Sequence, residues 1–162
     1  MKVKLKQIEG IEQGTTAPSS PKEGDLWFDT DLDMWFFYDS TRSKWLSVES
    51  AMIQVGKFGN TAAGSYFHGV DGITLSATDG YHALFDGTVV GFGYTRSDTD
   101  AATFDIVSGG SSLATIASSA VSGRTTSLNA DFSAGGILAL MNQTGGNAMT
   151  DVTAWIKVRW RA

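Results

Sequence analysis

The sequence predicts an all-β protein, with an N-terminal arm and a small aromatic β-meander preceding a β-sandwich or jelly roll. Three observations carry that prediction. From Gly80 onward, short β-branched and aromatic runs recur at regular spacing between turn clusters. The 19 glycines of this 162-residue chain, set among many Ser, Thr and Ala, favour turn-rich β structure over helix. The window from Asp25 to Val48 holds Trp27, Phe28, Trp35, Phe36, Phe37, Tyr38 and Trp45, three of the five tryptophans, split by Asp-rich and Ser/Thr/Arg-rich breaks.

In chain order, residues 1–9 alternate Lys2, Lys4 and Lys6 with Val3, Leu5 and Gln7, a strand of period 2 with one cationic face. Such a strand is either an edge strand in which lysines discourage aggregation or an arm that adds to another subunit's sheet. Gly10 to Gly24 holds both prolines, Pro18 and Pro21, and reads as a linker. Ala17 and Ser20 should be extended there, because each precedes a proline. Three strands follow, at about Asp25–Phe28, Met34–Asp39 and Lys44–Glu49, joined by turns at Asp29–Asp33 and Ser40–Ser43. Alternation sets Trp27, Phe36, Tyr38 and Trp45 against Phe28, Trp35 and Phe37 for a single buried face. Some 25 residues cannot close a core around so much aromatic surface. The segment must therefore lie against the rest of the chain or another subunit.

Ser50 to Asp79 reads mostly as loop, with one strand at Met52–Phe58. Strands then fall near Tyr81–Phe85, Thr88–Ser97, Thr103–Ser108, Ser111–Ser118, Arg124–Asn129, Gly136–Asn142 and Val152–Trp160. In the last, Val152, Ala154, Ile156, Val158 and Trp160 share one face, and Thr153, Trp155, Lys157, Arg159 and Arg161 the other. The organisation read from the chain is an arm and linker (1–24), a meander serving attachment (25–50) and a sandwich (51–162). Ser108–Gly136 offers few large side chains, chiefly Leu113, Ile116, Val121, Leu128 and Phe132. Burial between identical subunits would supply the missing apolar area.

Composition narrows the function classes. A net charge of −5 with 18% charged residues provides no clustered basic surface for nucleic acid. No apolar run nears the roughly 20 residues of a membrane helix. The opening Met-Lys-Val-Lys-Leu-Lys-Gln-Ile lacks the apolar stretch of a secretory signal. Zero cysteines leave no disulfide or thiolate site and fit folding in a reducing cytoplasm.

Candidate sites each have a plainer alternative. Asp29-Thr-Asp-Leu-Asp33 begins like a calcium loop, but Met34 stands where that loop needs Gly and Ser40 where it needs Glu. Turn aspartates capping their own backbone account for it better, and the same holds for Asp98 and Asp100. Ser65, His68 and Asp71 are the right types for a nucleophile triad, yet they crowd one Gly-rich loop with no elbow motif. His82 has no partner in sequence. Asp98, Asp100 and Asp105 supply carboxylates for a hydrolase, but from a turn and a strand edge. No phosphate loop, HExxH or CxxC motif is present, so no catalytic, metal or cofactor residue is assigned. Trp27, Trp35 and Trp45 could stack on sugar rings, although packing is the better account.

Pro-Ser-Ser-Pro-Lys-Glu-Gly-Asp-Leu-Trp-Phe-Asp-Thr (18–30), Met-Trp-Phe-Phe-Tyr-Asp (34–39) and Lys-Trp-Leu-Ser-Val (44–48) resemble a short module of tailed-bacteriophage structural proteins. Its pattern is P-x-x-G-D-L-W-x-D-T, an aromatic strand and a final W. Residues 86–98, 102–107 and 154–161 resemble the β-sandwich modules of phage head-fibre, decoration and tail-fibre proteins, which are similar to the tumour-necrosis-factor/C1q jelly roll and usually trimeric. The resemblance implies a non-enzymatic virion protein without cofactor, assembled in the host cytoplasm. It would decorate or project from the capsid as a homotrimer, held to the major capsid protein or another virion protein by its N-terminal part. Val3, Leu5, Trp27, Trp35, Phe37 and Trp45 are the expected attachment residues. The alternative is a tail-fibre or head-fibre module recognising host-surface glycans.

Overall fold

The computed structural model describes residues 11–143 and 145–162, and among these every regular element is a β-strand. The chain divides into two compact units: residues up to Ser50 together with Arg159–Ala162, and Ala51–Val158.

In the first unit, β1 (Ile11–Gly14), β2 (Leu26–Asp29), β3 (Met34–Asp39) and β4 (Lys44–Ser47) form one sheet in that order. The meander read from the aromatic window is β2 to β4, paired antiparallel with Trp27 opposite Phe36 and Tyr38 opposite Trp45. β1 was not expected. It lies within the segment read as a linker, runs parallel to β2 and sets Ile11 opposite Leu26. Its four residues, Ile-Glu-Gln-Gly, have no alternation of their own; the open edge of β2 supplies the pairing. The proline-containing stretch that follows is also built in. Ala17 packs against the core, the Trp45 indole Nε1 donates to the Pro18 carbonyl (3.4 Å), and Gly24 N–H donates to the Tyr38 carbonyl (3.0 Å). Ser20 departs from the extended conformation expected before Pro21, with φ of 67°.

The contest between the two faces is settled by parity. Trp27, Phe36 and Trp45 are buried and share one face with the partly buried Met34 and Tyr38. Ring centroids lie 5.4 Å apart for Trp27–Phe36, 5.9 Å for Trp27–Trp45 and 5.5 Å for Tyr38–Trp45, in tilted or edge-on contact. The end of the chain completes this unit. Leu46 bridges to Arg161, and Trp160 N–H donates to Ser47 Oγ (2.9 Å).

The second unit carries β5 (Ala51–Thr61), β6 (Tyr81–His82), β7 (Gly87–Thr95), β8 (Ala102–Ser108), β9 (Ser111–Ser118), β10 (Ser122–Thr125), β11 (Ala130–Phe132), β12 (Ile137–Asn142) and most of β13 (Met149–Trp160). One sheet has the order β10-β7-β13-β5, with β11 also on β7, and the other β6-β12-β8-β9. With β11 set aside, the pairs nest: first with last (β5, β13), second with second-last (β6, β12), then β7 with β10 and β8 with β9. Aromatic rings from both sheets meet between them, Phe92–Phe104 at 5.1 Å and Tyr94–Phe104 at 4.8 Å. Val89, Ile106, Leu138, Leu140 and Ile156 are buried in this unit's core. Along β13, Val152, Ala154, Ile156 and Val158 are buried while the alternate residues stay partly exposed, the pattern read from sequence, except that Trp160, placed on the first face, is only partly buried.

Four expected strands change by more than two residues, one of them Val152–Trp160, which begins at Met149. Tyr81–Phe85 is a strand only over Tyr81–His82, and Met52–Phe58 extends to Ala51–Thr61. Arg124–Asn129 is replaced by β10 and β11, both on β7, because Thr125 and Ser127 bond locally through their hydroxyls and turn the chain between them.

Candidate functional site

The two meander hairpins share one construction. Each four-residue loop starts from a buried aspartate at a strand end and finishes in a left-handed residue. Asp29 Oδ1 accepts from Asp31 N–H (2.8 Å) and Leu32 N–H (3.1 Å), and Asp33 has φ of 52°. Asp39 Oδ1 accepts from Arg42 N–H (3.0 Å), its Oδ2 pairs with Arg42 Nη1 (2.5 Å), and Ser43 has φ of 55°. The Asp29 carboxylate is thus used by its own turn.

These hairpins fix what the sheet presents on its other face. Leu26 stands opposite Phe37, Phe28 opposite Trp35, and Phe37 opposite Leu46. Leu46 is fully buried, and Phe28 and Trp35 stack at 5.0 Å between centroids. The Arg159 guanidinium lies 5.0 Å above the Phe37 ring and donates to the carbonyls of Ser47 and Val48. Desolvation pulls the Arg159 pKa below the usual arginine value, neighbouring Arg42 lowers it further, and Asp39 opposes both. Beyond this clamp the face is open. Trp35 is 43% exposed and Val48 49%, and with Ile11, Leu26, Met34, Asp33 and Glu49 they line an apolar groove of about 430 Å³ with two acidic residues at its margin.

Against this geometry the expected attachment residues separate. Val3 and Leu5 lie outside the described residues. Trp27 (2% exposed) and Trp45 (7%) are core side chains of the unit and present no surface. Phe37 lies under Arg159, and Trp35 alone of the four faces the groove. Sequence reasoning passed over Ile11, Leu26 and Val48 as groove residues. The alternation of Leu26/Phe28 and Trp35/Phe37 was the signal for Leu26.

The other candidates are tied into structure. Arg96, fully buried at the side chain, forms an ion pair with Asp98 and donates to Ser118 Oγ (3.0 Å) and the Asp100 carbonyl (2.6 Å). Asp98 Oδ2 also accepts from Thr150 N–H (2.5 Å). Desolvation lowers the Arg96 pKa, against the favourable influence of Tyr94 and Asp100. Asp105 Oδ1 accepts from the Ser112 hydroxyl (2.5 Å). Asp71 Oδ1 accepts from Ile73 N–H (3.0 Å), while His68 joins Gly56 through its backbone. His82 is exposed on β6. Among the described residues, no three His, Cys, Asp or Glu side chains gather as a metal site.

Comparison of the chain with family models, with curated proteins and with solved structures finds no match.

Proposed function

We propose that the chain is a non-enzymatic structural protein of a bacteriophage virion, assembled in the host cytoplasm and attached through its N-terminal unit to the capsid or another virion protein. The observation that carries this reading is the groove across the open face of the aromatic sheet. Three large rings seal one face of the small unit; on the other, beyond the buried Leu46 and the Arg159 clamp over Phe37, the apolar groove is left open, and such a surface suits cohesion with a protein. The resemblance of residues 18–48 to a phage structural module supports the same reading.

The Ala51–Val158 unit is read as a jelly roll. Nesting of first strand with last, second with second-last and so inward is what winding a long hairpin into two sheets produces. A homotrimer follows from the resemblance and from the sparse large side chains of Ser108–Gly136. The test mixes purified protein with particles made without it and measures co-sedimentation. Wild type should add to the particles, and Trp35→Ala should remain folded but fail to add. Equal occupancy by Trp35→Ala would refute attachment through this face.

A further inference from the structure

The second unit holds a feature that the attachment reading leaves unused. Phe58 is 93% exposed although it lies within β5. The cause is local. The β5–β13 register shifts between Thr150 and Val152, Asp151 takes φ of 50°, Gly59 takes φ of +76°, and Asp151 Oδ1 holds the Gly59 N–H at 2.7 Å. Ser97 Oγ donates to Asp151 Oδ2 (3.0 Å), so the carboxylate that fixes the irregularity is itself held. Irregularities of this kind re-aim side chains and recur next to binding sites.

Phe58 borders an open hollow of about 410 Å³, within the range of small-molecule sites, together with Gln54, Lys57, His68, Val70 and Thr153. Its floor is rigid. Gly56 exchanges two backbone hydrogen bonds with His68 (2.9 and 2.8 Å), and a Cβ at Gly56 would come within 2.5 Å of the Val152 carbonyl. The Tyr81 hydroxyl ties the far wall, donating to the Gln54 carbonyl (2.8 Å) and accepting from Val70 N–H (3.3 Å).

We infer that this hollow binds a neutral saccharide, with one pyranose ring stacked on Phe58 and its hydroxyls taken by Gln54, His68 and Lys57. An aromatic face is electron-rich and meets the polarised C–H bonds on one side of a pyranose. A few placed polar groups then orient the ring. The lining mixes Phe58 and Val70 with polar side chains within the span of one or two sugar rings, whereas the core of a protein interface is depleted of charged side chains. Lys57 and Asp151 offset each other, and a chain of net charge −5 disfavours an acidic ligand. The site lies in a different unit from the tryptophans that suggest stacking in the sequence, and it does not depend on how the protein attaches.

The test probes the full chain on an array of neutral, N-acetylated and acidic oligosaccharides, then titrates the best neutral binder by NMR. Wild type should bind, Phe58→Ala should bind about tenfold more weakly, and Phe58→Trp should retain binding. Melting temperature and sedimentation should be unchanged in Phe58→Ala, because the ring is exposed. Gln54→Ala, also at an exposed position, should weaken binding and gives an independent reading if Phe58→Ala disturbs β5. Three results overturn the inference: no neutral saccharide bound, equal binding by wild type and by both the Phe58→Ala and Gln54→Ala variants, or a change of oligomeric state in Phe58→Ala, which would make the surface a contact between copies.

Discussion

In the small unit three rings, Trp27, Phe36 and Trp45, make the core on one face of a four-stranded sheet. In the Ala51–Val158 unit, aliphatic side chains of two sheets enclose Phe92, Tyr94 and Phe104, and strands far apart in sequence pair in nested order. The difference teaches how area and topology substitute for each other. Each aromatic side chain can bury about 150–250 Å², so a few seal a sheet too small for an aliphatic core. The larger unit draws on many medium-sized side chains, because its two sheets give each an opposing layer. Loss of one ring should therefore be ruinous in the first unit and local in the second.

The sharpest break of that comparison is Phe36→Ala. Truncating a fully buried Phe costs about 3–5 kcal/mol. Hydrogen-exchange mass spectrometry should find protection lost throughout β2, β3 and β4 and retained in β7, β8 and β13. Loss of protection in both units together would mean that they do not fold as separate bodies.

Arg96→Ala tests the second unit at its polar weak point. Removing the guanidinium strands Asp98, Ser118 and the Asp100 carbonyl, and breaking a buried pair costs about 3 kcal/mol when one partner keeps some access to water. Urea unfolding should move to a lower midpoint at unchanged slope. A shift worth less than about 1 kcal/mol would show that water replaces the guanidinium without penalty.

The legible parts of the sequence were those governed by local pattern. β2 to β4 followed, to within two residues at each end, from aromatic alternation between Asp-led turns, and the faces of β13 from Val152 to Val158 from period 2. What stayed hidden depends on partners distant in the chain. The choice of Trp27/Phe36 over Phe28/Trp35 as core could not be made where both faces are aromatic. β1 exists because β2 has an edge to fill. In Arg96-Ser-Asp-Thr-Asp100 the sequence reads as a plain turn, since Ser118 and Thr150, which make the cluster, lie 22 and 54 residues beyond Arg96. Phe58 reads as an ordinary strand residue until Asp151, across the ladder, distorts the pairing.

Trp35→Ala should affect stability less than Phe36→Ala, although the two are neighbours in β3. With 43% of its surface already in water, truncating Trp35 should cost about 2 kcal/mol, read as a drop of several degrees in melting temperature. A loss comparable to that of Phe36→Ala would mean that the open face is also a core.

The smallest expected effect compares the two hairpins. Asp33 and Ser43 occupy the same final loop position with φ of 52° and 55°. A non-glycine residue in that region costs about 1–2 kcal/mol, but aspartate visits it more readily than serine because its short polar side chain can bond locally. Glycine removes the penalty and adds back about 0.5–1 kcal/mol of unfolded-chain entropy. The Ser43 hydroxyl contributes only a long bond to the Ser40 carbonyl (3.4 Å), so little is lost with it. Ser43→Gly should therefore stabilise the small unit by about 0.5 kcal/mol, while Asp33→Gly should be neutral or slightly destabilising. Thermal melts followed at the tryptophan band would separate them. Stabilisation by Asp33→Gly and not by Ser43→Gly would reverse the ranking and place the strain in the first hairpin instead of the second.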